Sequence, residues 1–404
     1  MREEMPLERP LLPVPGPRRV LADFGGPYAA SAVVAFLFSC TGPVAIILAI
    51  GAQGGLSESD IASWIFSAFC FNTLISIAFT LVYRQPLIFL WSIPGAVLVG
   101  PALSHLTFAE VIGAFLACGL LMLVLGLTGW VRRAMAAVPM PIVMAMVAGV
   151  FLRFGVGLVH AFGDELWIAL SMTITFVVLS TLPRLGKVIP PLIAAVIVGG
   201  LAIWAFGKFK PPAGALFALA APNFYVPQFS WNAMVELVVP LAITVLAVQN
   251  GQGVAVLAAN GHAAPVNAIT VACGIGSIVT GLFGAVSTCL TGPVNAVLAS
   301  AGERQRQYTA ALLFCVFALS FGLLAPFFTR LLLGTPPAFI ATLAGLAMLR
   351  VLQTAFTASF AGRYGLGALV CFLVTVADLP IFHIGAPFWG LVFGLATSRL
   401  LERE

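Results

Sequence analysis

The chain has 404 residues, of which 61% are hydrophobic and 8% charged, with a mean hydropathy of +1.09 and a formal net charge of +5. A soluble domain carries roughly 25% charged residues, so water is excluded as the main solvent. The basic residues are spread between apolar runs instead of clustering on one face, which excludes a nucleic-acid surface.

Residues 1–26 combine Pro and charge with no apolar run before a cleavage site, so they read as a cytoplasmic tail and not as a signal peptide. Apolar segments follow near 28–50, 61–82, 87–104, 110–130, 140–160, 166–182 and 188–206. After a Pro- and aromatic-rich outer connection at 207–231, they resume near 234–257, 267–285, 287–301, 307–329, 337–355, 365–380 and 384–401. The pattern is that of an all-α polytopic membrane protein with fourteen transmembrane segments, the third and tenth short or broken.

With a cytoplasmic N-terminus, Arg2, Arg9, Arg18, Arg19, Arg84, Arg132, Arg133, Arg184, Lys187, Arg304, Arg306, Arg350, Arg363, Arg399 and Arg403 fall inside. Only Lys208, Lys210 and Arg330 fall outside. That asymmetry follows the positive-inside rule and places both termini in the cytoplasm. Seven segments on each side of 207–231 make 27–206 and 232–404 an inverted pair, because an odd number of crossings turns the second half over. An internal echo accompanies the inversion: residues 39–45 align with 249–255 at an offset of 210, and 95–98 with 295–298 at 200.

Polar or helix-breaking residues at membrane depth need a protein or aqueous neighbour, and four places carry them. Segment 1 has Ser39, Cys40, Thr41, Gly42 and Pro43, where the proline kinks the helix beside two hydroxyls. Segment 3 opens on the β-branched and aromatic run 87–91 and continues Ser92, Ile93, Pro94, Gly95, which spells a strand feeding a half-helix. Segment 10 repeats the design, with Thr291 or Gly292 at the cap, Pro293 in the first turn and Asn295 beyond. Segment 8 holds Gln249, Asn250 and Gln252 among glycines.

Two half-helix N-termini meeting near the midplane offer free N–H groups to a carboxylate, and Ser, Thr and amide side chains complete its hydrogen bonds. The candidate substrate-binding set is therefore Ser39, Thr41, Ser92, Ile93, Gly95, Gln249, Asn250, Gln252, Thr291, Gly292 and Asn295. Close helix packing is the alternative account of small residues and breaks at any one of these places.

Glu58, Asp60, Glu110, Asp164 and Glu165 fall at outer helix ends, where a structural account suffices. Glu236, about one turn into segment 8, and Asp378, close to Pro380 and His383, are the proton-coupling candidates. Arg153 lies well inside segment 5 and must be paired or reach outward. His105, His160, His262 and His383 read as boundary residues. Seven single cysteines form no ligand pattern, so no metal or cofactor is expected. The chain has no HExxH, GxSxG or nucleotide-binding glycine loop, so it is not expected to be an enzyme.

Tyr83-Arg84-Gln85-Pro86, then Trp91-Ser92-Ile93-Pro94-Gly95-Ala96, the run 138–155, and Gln249-Asn250-Gly251-Gln252-Gly253 together resemble the BenE family of bacterial benzoate membrane transporters, from about residue 25 to the C-terminus. That family is similar in turn to the uracil transporter fold. The resemblance implies a core domain of segments 1–4 and 8–11 (27–133 and 232–330) and a gate domain of segments 5–7 and 12–14 (138–206 and 336–404). It also implies substrate between segments 3 and 10. Nucleobase carriers of that fold use acids on segments 8 and 10, whereas this chain has Gln249, Asn250, Pro293 and Asn295 there. That departure suits an anion, which a fixed carboxylate would repel, and Phe38, Phe89 and Trp91 would cover an aromatic ring.

The expected function is secondary active import of benzoate or a related aromatic carboxylate together with a proton. Co-transport removes an electrical cost of about 2.3 kcal/mol per charge per 100 mV. The expected partners are that small carboxylate, the proton and membrane lipid, with no nucleic acid; a homodimer is compatible with the fold. A same-fold carrier of a nucleobase or inorganic anion, and a channel, are the alternatives.

Overall fold

A computed structural model describes residues 7–131, 133, 139–182, 190–211, 217–382 and 384–402. Val138, His383 and the Arg2, Arg132, Arg184, Lys187 and Arg403 of the charge count lie outside the described residues.

The tail carries structure of its own. Helix α1 (Pro17–Asp23) starts on a proline, whose fixed φ suits a first turn, and ends on Asp23, which is 5% exposed. The Asp23 carboxylate accepts from the Tyr308 hydroxyl at 2.8 Å and lies 3.0 Å from Arg19 and 3.6 Å from Arg84. Burial alone would raise its pKa; the Tyr308 bond and the two arginines outweigh burial and hold it below the ordinary carboxylate value. Upstream, the Glu8 carboxylate accepts from the backbone N–H groups of Asn267 and Ala268 at 3.0 and 3.1 Å, satisfying two of the free donors that open a helix.

The first half continues through α2 (Gly26–Cys40), α3 (Gly42–Gln53), α4 (Glu58–Tyr83), β1 (Phe89–Trp91), α5 (Ile93–Ala102), α6 (Phe108–Thr128), α7 (Met140–Asp164), α8 (Leu166–Thr181) and α9 (Pro191–Ala205). The second runs through α10 (Trp231–Ala259), α11 (Val266–Gly281), β2 (Thr288–Leu290), α12 (Gly292–Ala299), α13 (Tyr308–Leu323), α14 (Ala325–Leu333), α15 (Pro337–Phe360), α16 (Gly365–Ala377) and α17 (Ala386–Leu401). Among the described residues seven helices, with α2 and α3 taken as one run, are long and apolar enough to cross a membrane, and six shorter apolar helices have 10–17 residues.

Three segments depart from the simple reading. Segment 1 is broken outright where a kink is expected: Thr41 (φ −99, ψ −94) leaves the helical region, and Pro43 opens α3 in place of bending a continuous helix. Segment 8 is expected as regular helix, yet α10 contains two π-helical stretches, Met234–Val238 and Thr244–Asn250. They lie on either side of Pro240, which has no N–H to give to the α-helical ladder. Segment 11 is interrupted at Leu324, and α14 restarts on Ala325 with a proline in its first turn.

The two short strands pair antiparallel, with Phe89 opposite Leu290, Leu90 opposite Cys289 and Trp91 opposite Thr288. Beyond the strands, the Ser92 N–H donates to the Ser287 carbonyl at 2.9 Å and the Thr291 N–H to the Ile88 carbonyl at 3.1 Å. Moving each partner by 199 residues turns one bond into the other, so Pro94 corresponds to Pro293. The echo at 200 is thus one residue out, because the cap-and-proline pattern sets the local register and Ala/Val identity does not.

A strand edge at membrane depth has no water to bond. Here the Phe89 N–H is taken up by Ser76 Oγ at 2.8 Å and the Thr288 N–H by Ser277 Oγ at 2.9 Å.

Helix packing falls into two sets. In one, α11 lies along α6, α13 against α4 and α2, and α12 against α2 and α10; in the other, α15 lies along α7, α16 against α7 and α17, and α9 against α8. The sets meet where α15 touches α3 and α5 touches α7. Residues 217–230 of the connection between the halves form a strap over the first set: the N–H groups of Ala220, Tyr225 and Gln228 donate to the carbonyls of Leu323, Leu282 and Ala109.

Candidate substrate site

Strand pairing brings the N-termini of α5 and α12 toward one another. At α5 the Ser92 hydroxyl accepts from the Gly95 N–H at 3.0 Å, the cap its sequence position implies. At α12 Thr291 occupies the N-cap but makes no such bond, so the Gly292 and Val294 N–H groups have no partner among the described residues.

A cavity of about 980 Å³ lies beside these termini. Its walls on one side are Phe38, Thr41, Ile93, Pro94, Gln249, Gln252 and Pro293; on the other they are Met144, Phe151, Phe176 and Leu192, with Ala347 and Arg350 of α15. The lining is mainly apolar, as ligand cavities are.

Of the candidate set, Thr41, Ile93, Gln249 and Gln252 line this cavity. Gln249 is 6% exposed, and its Oε1 has no hydrogen-bond partner among the described residues. A buried amide oxygen left so costs about 1–3 kcal/mol, and as an acceptor it calls for a donor and not for a carboxylate.

The remaining candidates hold the scaffold. Ser39 donates to the Ala35 carbonyl, and Asn250 Oδ1 accepts from the Leu290 N–H at 2.7 Å. Asn295 clasps the backbone of Ile88 through both amide atoms, at 2.9 and 3.2 Å, and also donates to the Thr291 carbonyl. Gly95 packs beneath Ser92 and Leu241, and Gly292 leaves the room that the Gln252 side chain fills, since a Cβ there would lie 2.6 Å from it.

Of the three aromatic residues expected to cover a ring, Phe38 does line the cavity. Phe89 and Trp91 instead pack behind the strand, on Phe79 and Phe69. Strand alternation cannot tell these two faces apart when both are buried. Met144, Phe151, Phe176 and Arg350 are lining residues that the sequence reading missed, because their helices look uniformly apolar and only packing selects which stripe faces inward.

Arg153 has its partner: Asp378 Oδ2, at 3.4 Å across α7 and the end of α16. Asp378 is thus an ion-paired, half-exposed residue. Glu236 is 4% exposed, with Oε2 2.9 Å from His105 Nε2, so His105 is more than a boundary residue. A Cβ on Gly385, at the entry to α17, would lie 2.5 Å from Glu236 Oε1, so this carboxylate sits where the two helix sets touch. Among the described residues no group of three or more metal-ligating side chains occurs.

A polytopic helical chain whose third and tenth segments meet strand to strand beside a large, mainly apolar cavity has the fold of membrane transport proteins. It superposes on the transmembrane domain of a cyanobacterium bicarbonate transporter, BicA, with a TM-score of 0.61 and 16% identity, covering 93% of this chain and 98% of that one. For SLC26A9 the TM-score is 0.65 with 14% identity, over 92% of this chain and 64% of that one.

Within that class the chain belongs to the BenE family: residues 24–400 match the family described as benzoate membrane transport protein. It is 30% identical to the inner membrane protein YdcO of Escherichia coli (strain K12), over 89% of this chain and 92% of that protein. It is 24% identical to the benzoate membrane transport protein of Acinetobacter baylyi (strain ATCC 33305 / BD413 / ADP1), over 91% and 93%.

Proposed function

We propose that this protein imports benzoate or a closely related aromatic carboxylate with a proton across the inner membrane. The arrangement we propose is fourteen segments in two inverted repeats of seven, both termini being cytoplasmic. In this reading α2–α6 and α10–α14 form the core and α7–α9 and α15–α17 the gate. The cavity between them is open toward the cytoplasm, and transport moves core against gate.

The observation that carries the proposal is that the Gln249 amide, whose NH2 can donate, lines a mainly apolar cavity that also holds the first residues of α5 and α12. The amide and the N–H groups at those termini receive the carboxylate. Phe38 and Phe176 offer faces for the ring. Among the described residues no acidic side chain lines the cavity to repel the anion. Glu236 carries the coupling proton: it is buried, bonded to His105 and pressed by Gly385 at the contact between core and gate, where its protonation would alter the fit of the two bodies.

Proteoliposomes holding the purified protein should accumulate labelled benzoate when the outside is made acidic, and an uncoupler should abolish the accumulation. Glu236→Gln should keep exchange of benzoate down its gradient but lose acid-driven accumulation. Absence of any benzoate movement would sink the substrate assignment, and accumulation indifferent to the uncoupler would sink the coupling. Competition by bicarbonate in place of aromatic acids would point to the inorganic-anion alternative.

A further inference from the structure

We infer that Arg350 is the residue that selects anions at the mouth of the cavity. The inference rests on the functional reading above, since it names how the same cavity tells charge. Leu346, Ala347, Met348, Arg350, Val351 and Thr354 line the cavity from α15, and all but Met348 share one face of the helix. Arg350 lies ten residues before the end of α15, roughly 15 Å along its axis. By charge count it reads as one more cytoplasmic topology arginine, but the helix carries on past it and turns it toward the cavity.

Every other described lining residue is uncharged, and no carboxylate pairs with Arg350 among the described residues. Of the other arginines within the second helix set, Arg153 is paired with Asp378, and Arg399 in the last turn of α17 is not without a partner either. A guanidinium is charged at all working pH values and matches a carboxylate with two parallel donors. Beside low-dielectric walls its field is focused along the cavity, so anions gather there and cations are turned away. The other polar groups, Thr41, Gln249 and Gln252, are neutral amides and a hydroxyl, which orient a carboxylate but carry no net charge to discriminate by. Charge selection therefore resides in Arg350 and orientation in the neutral groups.

The test has two arms. In counterflow with benzoate varied on one side at a time, Arg350→Gln should raise the half-saturating concentration on the cytoplasmic side on the order of tenfold. The outer value should stay within about twofold, and Arg350→Lys should restore most of the loss, which a merely structural role would not do. A cytoplasmic half-saturating concentration in Arg350→Gln unchanged from that of the transporting wild type would overturn the inference.

The second arm does not depend on the substrate. Ser180 also lines the mouth, so Ser180→Cys can be reacted in turn with anionic and cationic thiol reagents of equal size. The anionic reagent should be favoured with Arg350 present, and the preference should fall on the order of tenfold in Arg350→Gln. An unchanged ratio would refute the role of Arg350 even if benzoate proved not to be the cargo. Failure of the wild type to carry benzoate with a normal reagent ratio would overturn only the functional proposal.

Discussion

At the scale of single residues, the polar side chains at membrane depth divide by whether their hydrogen bonds are already used. Asn250 and Asn295 spend theirs on the backbone of the strand region, so they build the site without facing it. Gln249 is next to Asn250 in sequence and similarly buried, yet it lines the cavity, where its amide NH2 can donate to a substrate carboxylate. Gln249→Ala should therefore raise the half-saturating concentration for benzoate on the order of tenfold, the value of one such bond at about 1–1.5 kcal/mol, with insertion unchanged. Gln249→Glu should lose uptake at neutral pH through repulsion between two carboxylates. Normal uptake in both variants, measured at matched protein levels, would move the site away from Gln249.

At the scale of elements, the short strands are an unusual thing to place in a membrane, because each has an open edge. The edge is closed by hydroxyls from neighbouring helices, Ser76 for β1 and Ser277 for β2, and each serine also bonds a carbonyl in its own helix. Removing either hydroxyl orphans a buried N–H, at about 1–3 kcal/mol. Ser76→Ala and Ser277→Ala should each lower thermal stability in detergent by comparable amounts, since they do the same job at places 201 residues apart. A loss in one and none in the other would show that the two strand edges are not held alike.

At the scale of the whole molecule, the break in segment 1 presses against α15. A Cβ on Gly42 would meet Ala347 Cβ closer than real Cβ contacts allow, with Leu192 tight at 3.1 Å, and Ala347 has no flexible end to move aside. If core and gate pass through this contact during transport, Gly42→Ala should slow turnover severalfold while the protein still folds and inserts. The added change Ala347→Gly should restore it by making the room on the other side. Full activity of Gly42→Ala alone would mean that this close approach is not part of the cycle.

Much of this was legible in the residues themselves. The apolar runs, the strand-then-half-helix spelling of segments 3 and 10, the Ser92 cap and the prolines in the first turns follow from local chemistry, because solvent exclusion and helix capping act within a few residues. Local patterns could not tell Gln249 from Asn250, or Phe38 from Phe89, because each pair is chemically alike and differs only in what lies opposite. Nor could they pair Arg153 with Asp378, bring His105 to Glu236, or turn Arg350 from a cytoplasmic loop charge into a cavity residue. The sequence by itself thus determined which stretches leave water and where their helices break. Only the tertiary structure decided which polar groups remain without partners, because hydrogen-bond satisfaction depends on neighbours up to some two hundred residues away in the chain.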